Sequence, residues 1–181
     1  MALIRHPIVQ YAYVVNDIEE ACQRWNMMFG AGPFFTVPHF RGLNHRYRGR
    51  RAEEDVSHAQ GQAGPAQLQF TQQHNDAPSI WRDMYKPGEQ GLHHVMIMVD
   101  DFAAEQQRFI DYGCAIAEEF DCPLSADPTP PIARCAYMDA RHLIGCFVEL
   151  FEENPVVRHE IVELKRLHEA WDGADLIRSA I

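Results

Sequence analysis

The amino-acid sequence predicts an α+β fold of two tandem βαβββ modules, which form an open, curved mixed sheet around a central cleft and are followed by a C-terminal helix. The main observation is an internal repeat. Residues 8–30 and 92–113 each read as an apolar strand, a polar helix cap, an amphipathic helix and a closing glycine. The spacing between the two copies stays nearly constant from strand to glycine, which is improbable by chance.

Local signals support each element of the repeat. The apolar, β-branched run that starts each copy predicts a buried strand. In the first copy Asn16 or Asp17 can cap the helix, and Gly30 can end it in the left-handed conformation. In the second copy Asp101 and Gly113 occupy the same places. Each copy therefore predicts a strand followed by a helix.

Short apolar runs separated by glycine- and proline-rich loops follow each helix and predict three more strands per module. They are Phe34–Phe40, 56–60 and 66–72 in the first module, and 114–120, 133–139 and 146–152 in the second. We place the modules at 1–76 and 91–153, a linking helix at 77–90 and a C-terminal helical extension at 154–181. The helix of that extension is predicted over 155–171.

Composition excludes several classes of protein. The formal net charge of -10 disfavours general binding to nucleic acid or to an anionic membrane. Five cysteines without a CxxC pair disfavour a disulfide framework or a thiolate zinc site. No apolar run approaches the roughly 20 residues that span a bilayer, and the start lacks the zones of a signal peptide. We expect a cytoplasmic protein.

Three strings resemble the vicinal-oxygen-chelate superfamily, which includes glyoxalase I, methylmalonyl-CoA epimerase, bleomycin-resistance proteins and extradiol dioxygenases. They are Val14–Ile18, Gly91–Val95 and Gly145–Leu150. The likeness is greatest to the methylmalonyl-CoA epimerase and glyoxalase-4-like branch and covers the chain from Ile8 to about Glu152. It implies two half-sheets with a metal ion and substrate in the cleft between them. Family members are often dimers, so we expect a homodimer.

The resemblance implies a divalent metal ion (Zn, Ni, Co, Mn or Mg), held by the first and last strands of each module. The family's ligand positions fall on Gln10 and Gln69 in the first module and on His94 and Glu149 in the second. Alternate residues of a strand face the same side, so all four can face one cleft. Histidine and glutamate are ordinary ligands, whereas neutral amides are weaker donors, so we expect modest affinity.

The resemblance also implies a metal-dependent lyase or isomerase (glyoxalase- or epimerase-like) that transfers a proton next to a substrate carbonyl, as in a thioester or a hemithioacetal. The metal would polarise the carbonyl, and a carboxylate would move the proton. Glu149 is a candidate base as well as a ligand. A second acid/base residue is expected at Glu53 or Glu54, for which an exposed loop pair is the alternative interpretation.

One stretch of the acidic chain is rich in arginine. Its members are Arg41, Arg46, Arg48, Arg50 and Arg51. The stretch is either a solvated loop or an anchor for an anionic part of a small-molecule substrate, such as a phosphate- or carboxylate-bearing thioester carrier. We take Arg48 and Arg50 as the candidate substrate-binding residues.

Two other functions compete with proton transfer. A non-catalytic protein that sequesters a hydrophobic or aromatic molecule is favoured by the weak Gln/Gln donor pair and by the aromatic pair Phe34-Phe35. Extradiol ring cleavage needs two histidines and one carboxylate on iron. We reject it because the first-strand position of the first module holds Gln10 instead of histidine.

Overall fold

A computed structural model describes residues 2–125, 127 and 129–179. Parts of the predicted modules and extension lie outside the described residues: Met1 of the first module, Ala126 and Pro128 of the second, and residues 180–181 of the C-terminal extension. The boundaries of the modules stay a prediction, because one continuous sheet runs across them.

The predicted α+β class is confirmed, and all eight predicted strands are present. The first half consists of β1 (Ile8–Val14), α1 (Ile18–Phe29), β2 (Phe34–Phe40), β3 (Leu43–Tyr47), β4 (Arg50–Arg51), β5 (Val56–Ala63) and β6 (Ala66–Gln73). The rest of the chain consists of α2 (Ile80–Met84), β7 (Gly91–Val99), α3 (Phe102–Asp111), β8 (Ile116–Pro123), β9 (Ile132–Met138), α4 (Arg141–Ile144), β10 (Phe147–Glu152), α5 (Pro155–Glu169) and β11 (Ile177–Ser179).

The described strands form one mixed sheet in the order β11-β2-β5-β6-β1-β7-β10-β9-β8-β3-β4. At its centre β1 and β7 are antiparallel, and each is parallel to the last strand of its own half, β6 or β10. The two halves therefore repeat one arrangement on either side of the β1–β7 pair. Residues 41–42 alone connect β2, near one edge, to β3, near the other. The sheet must therefore curve until its edges approach each other.

The helices α1 and α3 cover the outer face of this sheet. Asp17, rather than Asn16, caps α1 by accepting from the Glu20 N–H at 2.8 Å, and Asp101 caps α3 in the same way. Gly30 ends α1 with a φ of 64°, a conformation that glycine adopts without steric cost. The outer face packs against these helices in two apolar clusters. We call the opposite face of the sheet the inner face.

The linking helix is shorter than the sequence predicts. The sequence predicts a helix over residues 77–90, whereas α2 spans only Ile80–Met84. Ser79 caps the first turn, and the helix ends before Pro87 and Gly88, since proline lacks an N–H and this glycine has a φ of 89°. The short helix packs over the inner face.

Three strands are not predicted by the sequence. Strands β3 and β4 lie in the arginine-rich stretch, which lacks the apolar alternation of a half-buried strand. Strand β3 pairs antiparallel with β8 of the second half, where Tyr47 lies opposite Glu118. Strand β11 has only three residues and pairs parallel with β2. The β3–β4 hairpin therefore belongs to the first half in sequence but extends the sheet edge of the second half.

The end of the chain also differs slightly from the prediction. Helix α5 ends at Glu169 instead of residue 171, and Gly173 follows in a left-handed conformation that turns the chain toward β11. All five cysteines are free, as expected. Among the residues that the structure describes, no helix is both long and apolar enough to cross a membrane.

The packing of β5 against β2 gives a test of the fold. A Cβ atom at Gly61 would overlap the ring of Phe34, which is fully buried. We expect Gly61→Ala to lower the free energy of unfolding by about 1–3 kcal/mol, as overpacking of a core does. Gly91→Ala is the matched control, because its new methyl meets the hydroxyl and the adjoining ring carbons of Tyr85, a half-buried side chain that can move more easily than the fully buried Phe34. Chemical denaturation measures both, and equal losses would contradict this packing.

Candidate active site

The four predicted metal ligands share the inner face of the sheet. In the first half Gln69 of β6 pairs with Ala12 of β1, which lies two residues after Gln10. In the second half Glu149 of β10 pairs with Met96 of β7, which lies two residues after His94. The central β1–β7 register joins the two pairs. Because paired residues, and residues two apart in a strand, face the same side, all four side chains face the same way.

These side chains are buried, and several of their polar atoms have no partner. The side chains of Gln10 and His94 are almost fully buried, as are those of Gln69 and Glu149. Gln10 Oε1, His94 Nε2 and Glu149 Oε2 lack a hydrogen-bond partner among the described residues. His94 Nε2 and Glu149 Oε2 lie 3.0 Å apart, but without the angles of a hydrogen bond. Unpartnered buried polar atoms are costly, so this arrangement needs an explanation.

His93 fixes the orientation of the His94 ring. His93 Nε2 lies 3.1 Å from the Ile80 carbonyl oxygen, which can only accept, so Nε2 carries the proton. Burial first, and the neighbouring His94 second, hold the pKa of His93 well below its ordinary value, so the ring is neutral. Its Nδ1 therefore accepts from His94 Nδ1 at 3.0 Å. This orients the His94 ring so that Nε2 is the nitrogen left for a metal ion.

Glu149 is held as a carboxylate. Burial would raise its pKa, but the adjacent His94 and hydrogen bonds from Cys135 and Tyr137 keep the pKa below its ordinary value. The Cys135 thiol and the Tyr137 hydroxyl both donate to Oε1 at 3.2 Å. Its Oε2 is the oxygen that faces His94. One carboxylate oxygen is thus occupied by the protein and the other is left open.

The open atoms fit a divalent metal ion. They comprise an imidazole nitrogen of His94, a carboxylate oxygen of Glu149 and the amide oxygen of Gln10, all of which are known ligand types. Gln69 fits less well, because its Oε1 already accepts from Gln60 Nε2 at 3.1 Å. An oxygen with a second lone pair can still coordinate. The donor set therefore suits a metal ion of modest affinity.

The structure separates the two candidate acid/base residues. Glu53 is exposed, and its carbonyl oxygen accepts from Asn75. Glu54 is 3% exposed and points into the fold. Burial first, and the neighbouring Glu118 second, raise the pKa of Glu54 to about 7, although His45 partly offsets this. Of these two residues, Glu54 alone has the environment of a group that exchanges a proton near neutral pH.

Sequence reasoning missed two residues beside Glu54. His45 Nε2 lies 3.1 Å from Glu54 Oε1 and 3.0 Å from Glu118 Oε1. Burial raises the pKa of Glu118 to about 8. Alternation along β8 with Phe120 could have identified Glu118 as facing inward. No such signal existed for His45, because its strand is polar.

A third missed residue, His58, lies on the inner face of β5. Its Nδ1 lies 2.9 Å from the Thr71 hydroxyl, and its ring packs against Phe40 and Trp81. Burial lowers the pKa of His58 to about 4, so the ring is neutral. The inner face therefore combines neutral imidazoles with buried carboxyl groups.

Arg48 and Arg50 do not line the cavity that the neighbouring residues form. Arg48 is paired with Asp83 and Asp139, so its charge is already compensated. Arg50 lies exposed on β4. A cavity of about 650 Å³ lies beside them instead. Three other arginines of the same stretch line it together with His45: Arg41, Arg46 and Arg51.

The role of His93 gives a test of the site. His93→Phe keeps a ring between Trp81 and Phe147 but removes the acceptor for His94. We expect the affinity for Zn²⁺ to fall roughly 10–100-fold, the usual cost of losing a partner that orients a ligand. His93→Asn keeps an acceptor near the position of Nδ1 and should lose less. Competition against a Zn²⁺ chelator measures both variants; wild-type affinity in His93→Phe would contradict the assignment.

Comparisons with known proteins agree with this fold. The model of the Glyoxalase/Bleomycin resistance protein/Dioxygenase superfamily matches residues 9–123, more than half of the chain. No curated protein matches the chain in sequence.

Three solved structures illustrate the likeness. Methylmalonyl-CoA epimerase from Mycobacterium tuberculosis has a TM-score of 0.54 and 16% identity, over 87% of this chain and 94% of that chain. A hypothetical protein from Bacillus halodurans has a TM-score of 0.54 and 14% identity, over 83% of this chain and 96% of that chain. A mutant of 4-hydroxymandelate synthase from Streptomyces coelicolor has a TM-score of 0.51 and 13% identity, over 83% of this chain and 49% of that chain. At these identities the likeness concerns the fold alone. On the family match, the chain belongs to the glyoxalase/bleomycin resistance protein/dioxygenase superfamily.

Proposed function

We propose that this protein is a metal-dependent lyase or isomerase that transfers a proton at the carbon next to a substrate carbonyl. The observation that carries the proposal is the pairing, within one fold, of an open donor set with a buried carboxyl group. The donor set is that of Gln10, His94 and Glu149, with Gln69 as the weaker fourth member. A divalent ion held there would supply Lewis-acid polarisation of the carbonyl oxygen.

Glu54 is the group that we propose to move the proton. Its pKa of about 7 lets it accept and return a proton near neutral pH. Its neighbour Glu118 pairs with Tyr137, which in turn pairs with Glu149. Two strand spacings place the Cα atoms of Glu118 and Glu149 roughly 10 Å apart. The donor set and the Glu54 carboxyl group therefore lie on the same face of the sheet, with Tyr137 between them.

We propose a substrate that carries an anionic group. The cavity beside β3 has Arg41, Arg46 and Arg51 in its lining, and guanidinium groups bind carboxylates and phosphates well. His45 lines the same cavity and contacts Glu54. We therefore move the proposed anchor from Arg48 and Arg50 to these three arginines. A thioester or a hemithioacetal with a charged carrier fits this description.

We also propose that the protein is a homodimer, as the family resemblance implies.

The second candidate is a binding protein without turnover. It is favoured by the hydrogen bond that Gln60 donates to Gln69, which occupies one of the four expected ligands. It is also favoured by the aromatic lining of the inner face, where Phe40 packs on Phe120 and Trp81 on Tyr137. Such a surface suits an aromatic or hydrophobic ligand.

Solvent exchange separates the two candidates. The metal-loaded protein is incubated in D₂O with a panel of acyl thioesters and hemithioacetals, and NMR follows deuterium at the carbon next to the carbonyl. We expect exchange by the wild type and a loss of roughly 10²–10⁴-fold in Glu54→Gln, because the proton acceptor is gone. Glu119→Gln, on the outer face of β8, is the control and should exchange like the wild type.

Two results would contradict the proposal. Exchange in Glu54→Gln at the wild-type rate would remove Glu54 from the reaction. Tight binding of panel members without any exchange by the wild type would favour the binding protein instead.

A further inference from the structure

We propose that His45, Glu54 and Glu118 form a second divalent-cation site, distinct from the donor set around His94. One ligand atom from each residue lies within 4.8 Å of the others. The three residues come from strand β3, from the segment before β5 and from strand β8. Strand pairing between β3 and β8 holds two of them together.

The buried oxygens of this cluster lack partners. The side chains of Glu54 and Glu118 are 0% and 1% exposed. Both oxygens of Glu54, and Oε2 of Glu118, have no hydrogen-bond partner within the described part of the chain. Burial of a carboxylate is unfavourable unless it is paired or coordinates a metal. The cluster therefore presents open oxygen atoms in a dry place.

His45 alone cannot satisfy the hydrogen-bonding needs of both buried carboxyl groups. Its Nε2 lies 3.1 Å from Glu54 and 3.0 Å from Glu118, but one N–H donates well to only one acceptor. A divalent cation between the three groups would interact with both carboxylates at once. The cluster has the donor chemistry for such an ion.

The donor set matches common transition metals. One imidazole nitrogen and two carboxylate oxygens suit Zn²⁺, Mn²⁺, Fe²⁺ or Co²⁺ and leave positions for water. The ring of His45 packs against Phe120 with 5.0 Å between centroids. Held by strand pairing and by this contact, the nitrogen is oriented before any ion arrives. Preorganised ligands lose less entropy on binding.

An ion can reach the cluster from solvent. The His45 side chain is 15% exposed and lines the cavity beside β3. The arginines Arg41, Arg46 and Arg51 line the same cavity and oppose the approach of a cation. Their guanidinium groups meet water, which screens them, whereas the two carboxyl groups are buried next to the ion's position. The two carboxyl groups, which release the protons they hold when an ion binds, are nearer and unscreened and therefore decide the binding.

Occupancy of this site has a consequence that rests on the proposed function. The ion would hold the carboxyl group of Glu54, which the proposed reaction uses for proton transfer. A second equivalent of metal would therefore inhibit the exchange that the first supports. The site itself depends only on His45, Glu54 and Glu118 and stands without the proposed function.

Metal stoichiometry tests this site separately from the first. The protein is stripped with a chelator and titrated with Co²⁺, and equilibrium dialysis with metal analysis counts bound ions while absorption spectra follow their coordination. We expect two equivalents in the wild type and one in Glu118→Gln. Glu119→Gln makes the same substitution on the outer face of the same strand and should keep two. Circular dichroism verifies that each variant is folded, and His45→Gln replaces Glu118→Gln if that variant is not.

The outcomes distinguish the two sites. Loss of one equivalent in Glu118→Gln but none in His94→Ala would support the second site and remove the metal centre of the proposed function. Loss in both variants would support both sites. Unchanged stoichiometry in folded Glu118→Gln, or in folded His45→Gln, would overturn the second site, as would a wild type that binds one ion and loses it in His94→Ala.

Discussion

The antiparallel pairing of β1 and β7 is the constraint on which the rest of the structure depends. It joins two half-sheets that are built alike, so corresponding residues of the two halves meet on one face. Gln10 and His94 are brought together in this way from distant parts of the sequence. A slip of one residue in this register would turn their side chains toward the outer face. The candidate site therefore rests on backbone hydrogen bonds at the centre of the sheet.

The inner face carries polar groups that a purely structural core would avoid. Glu149, Glu54 and Glu118 are all buried there, and burial of a carboxyl group is unfavourable without compensation. Glu149 receives two hydrogen bonds, whereas Glu54 and Glu118 share a single histidine. The protein thus keeps one carboxyl group charged and raises the pKa of the other two. Opposite environments of this kind assign different chemical roles to identical residue types.

Much of the fold follows from local sequence signals. Apolar runs and caps such as Asp17 predict the eight strands of the two modules and both outer helices, because periodicity and capping are local properties. The β3–β4 hairpin could not be predicted in this way, since its pairing with β8 depends on the curvature of the whole sheet. His45 was missed for the same reason. The repeat identified the positions of His94 and Glu149, but the hydrogen bond that occupies Gln69 is a tertiary feature.

Anomalous X-ray diffraction from crystals grown with Zn²⁺ tests the central claim most directly, because it locates the ion without any knowledge of the substrate. We expect a zinc peak on the inner face, within bonding distance of His94 Nε2 and the Glu149 carboxylate, at about 2.0–2.2 Å. A well-ordered inner face without a peak beside His94, in crystals that contain zinc elsewhere, would contradict it.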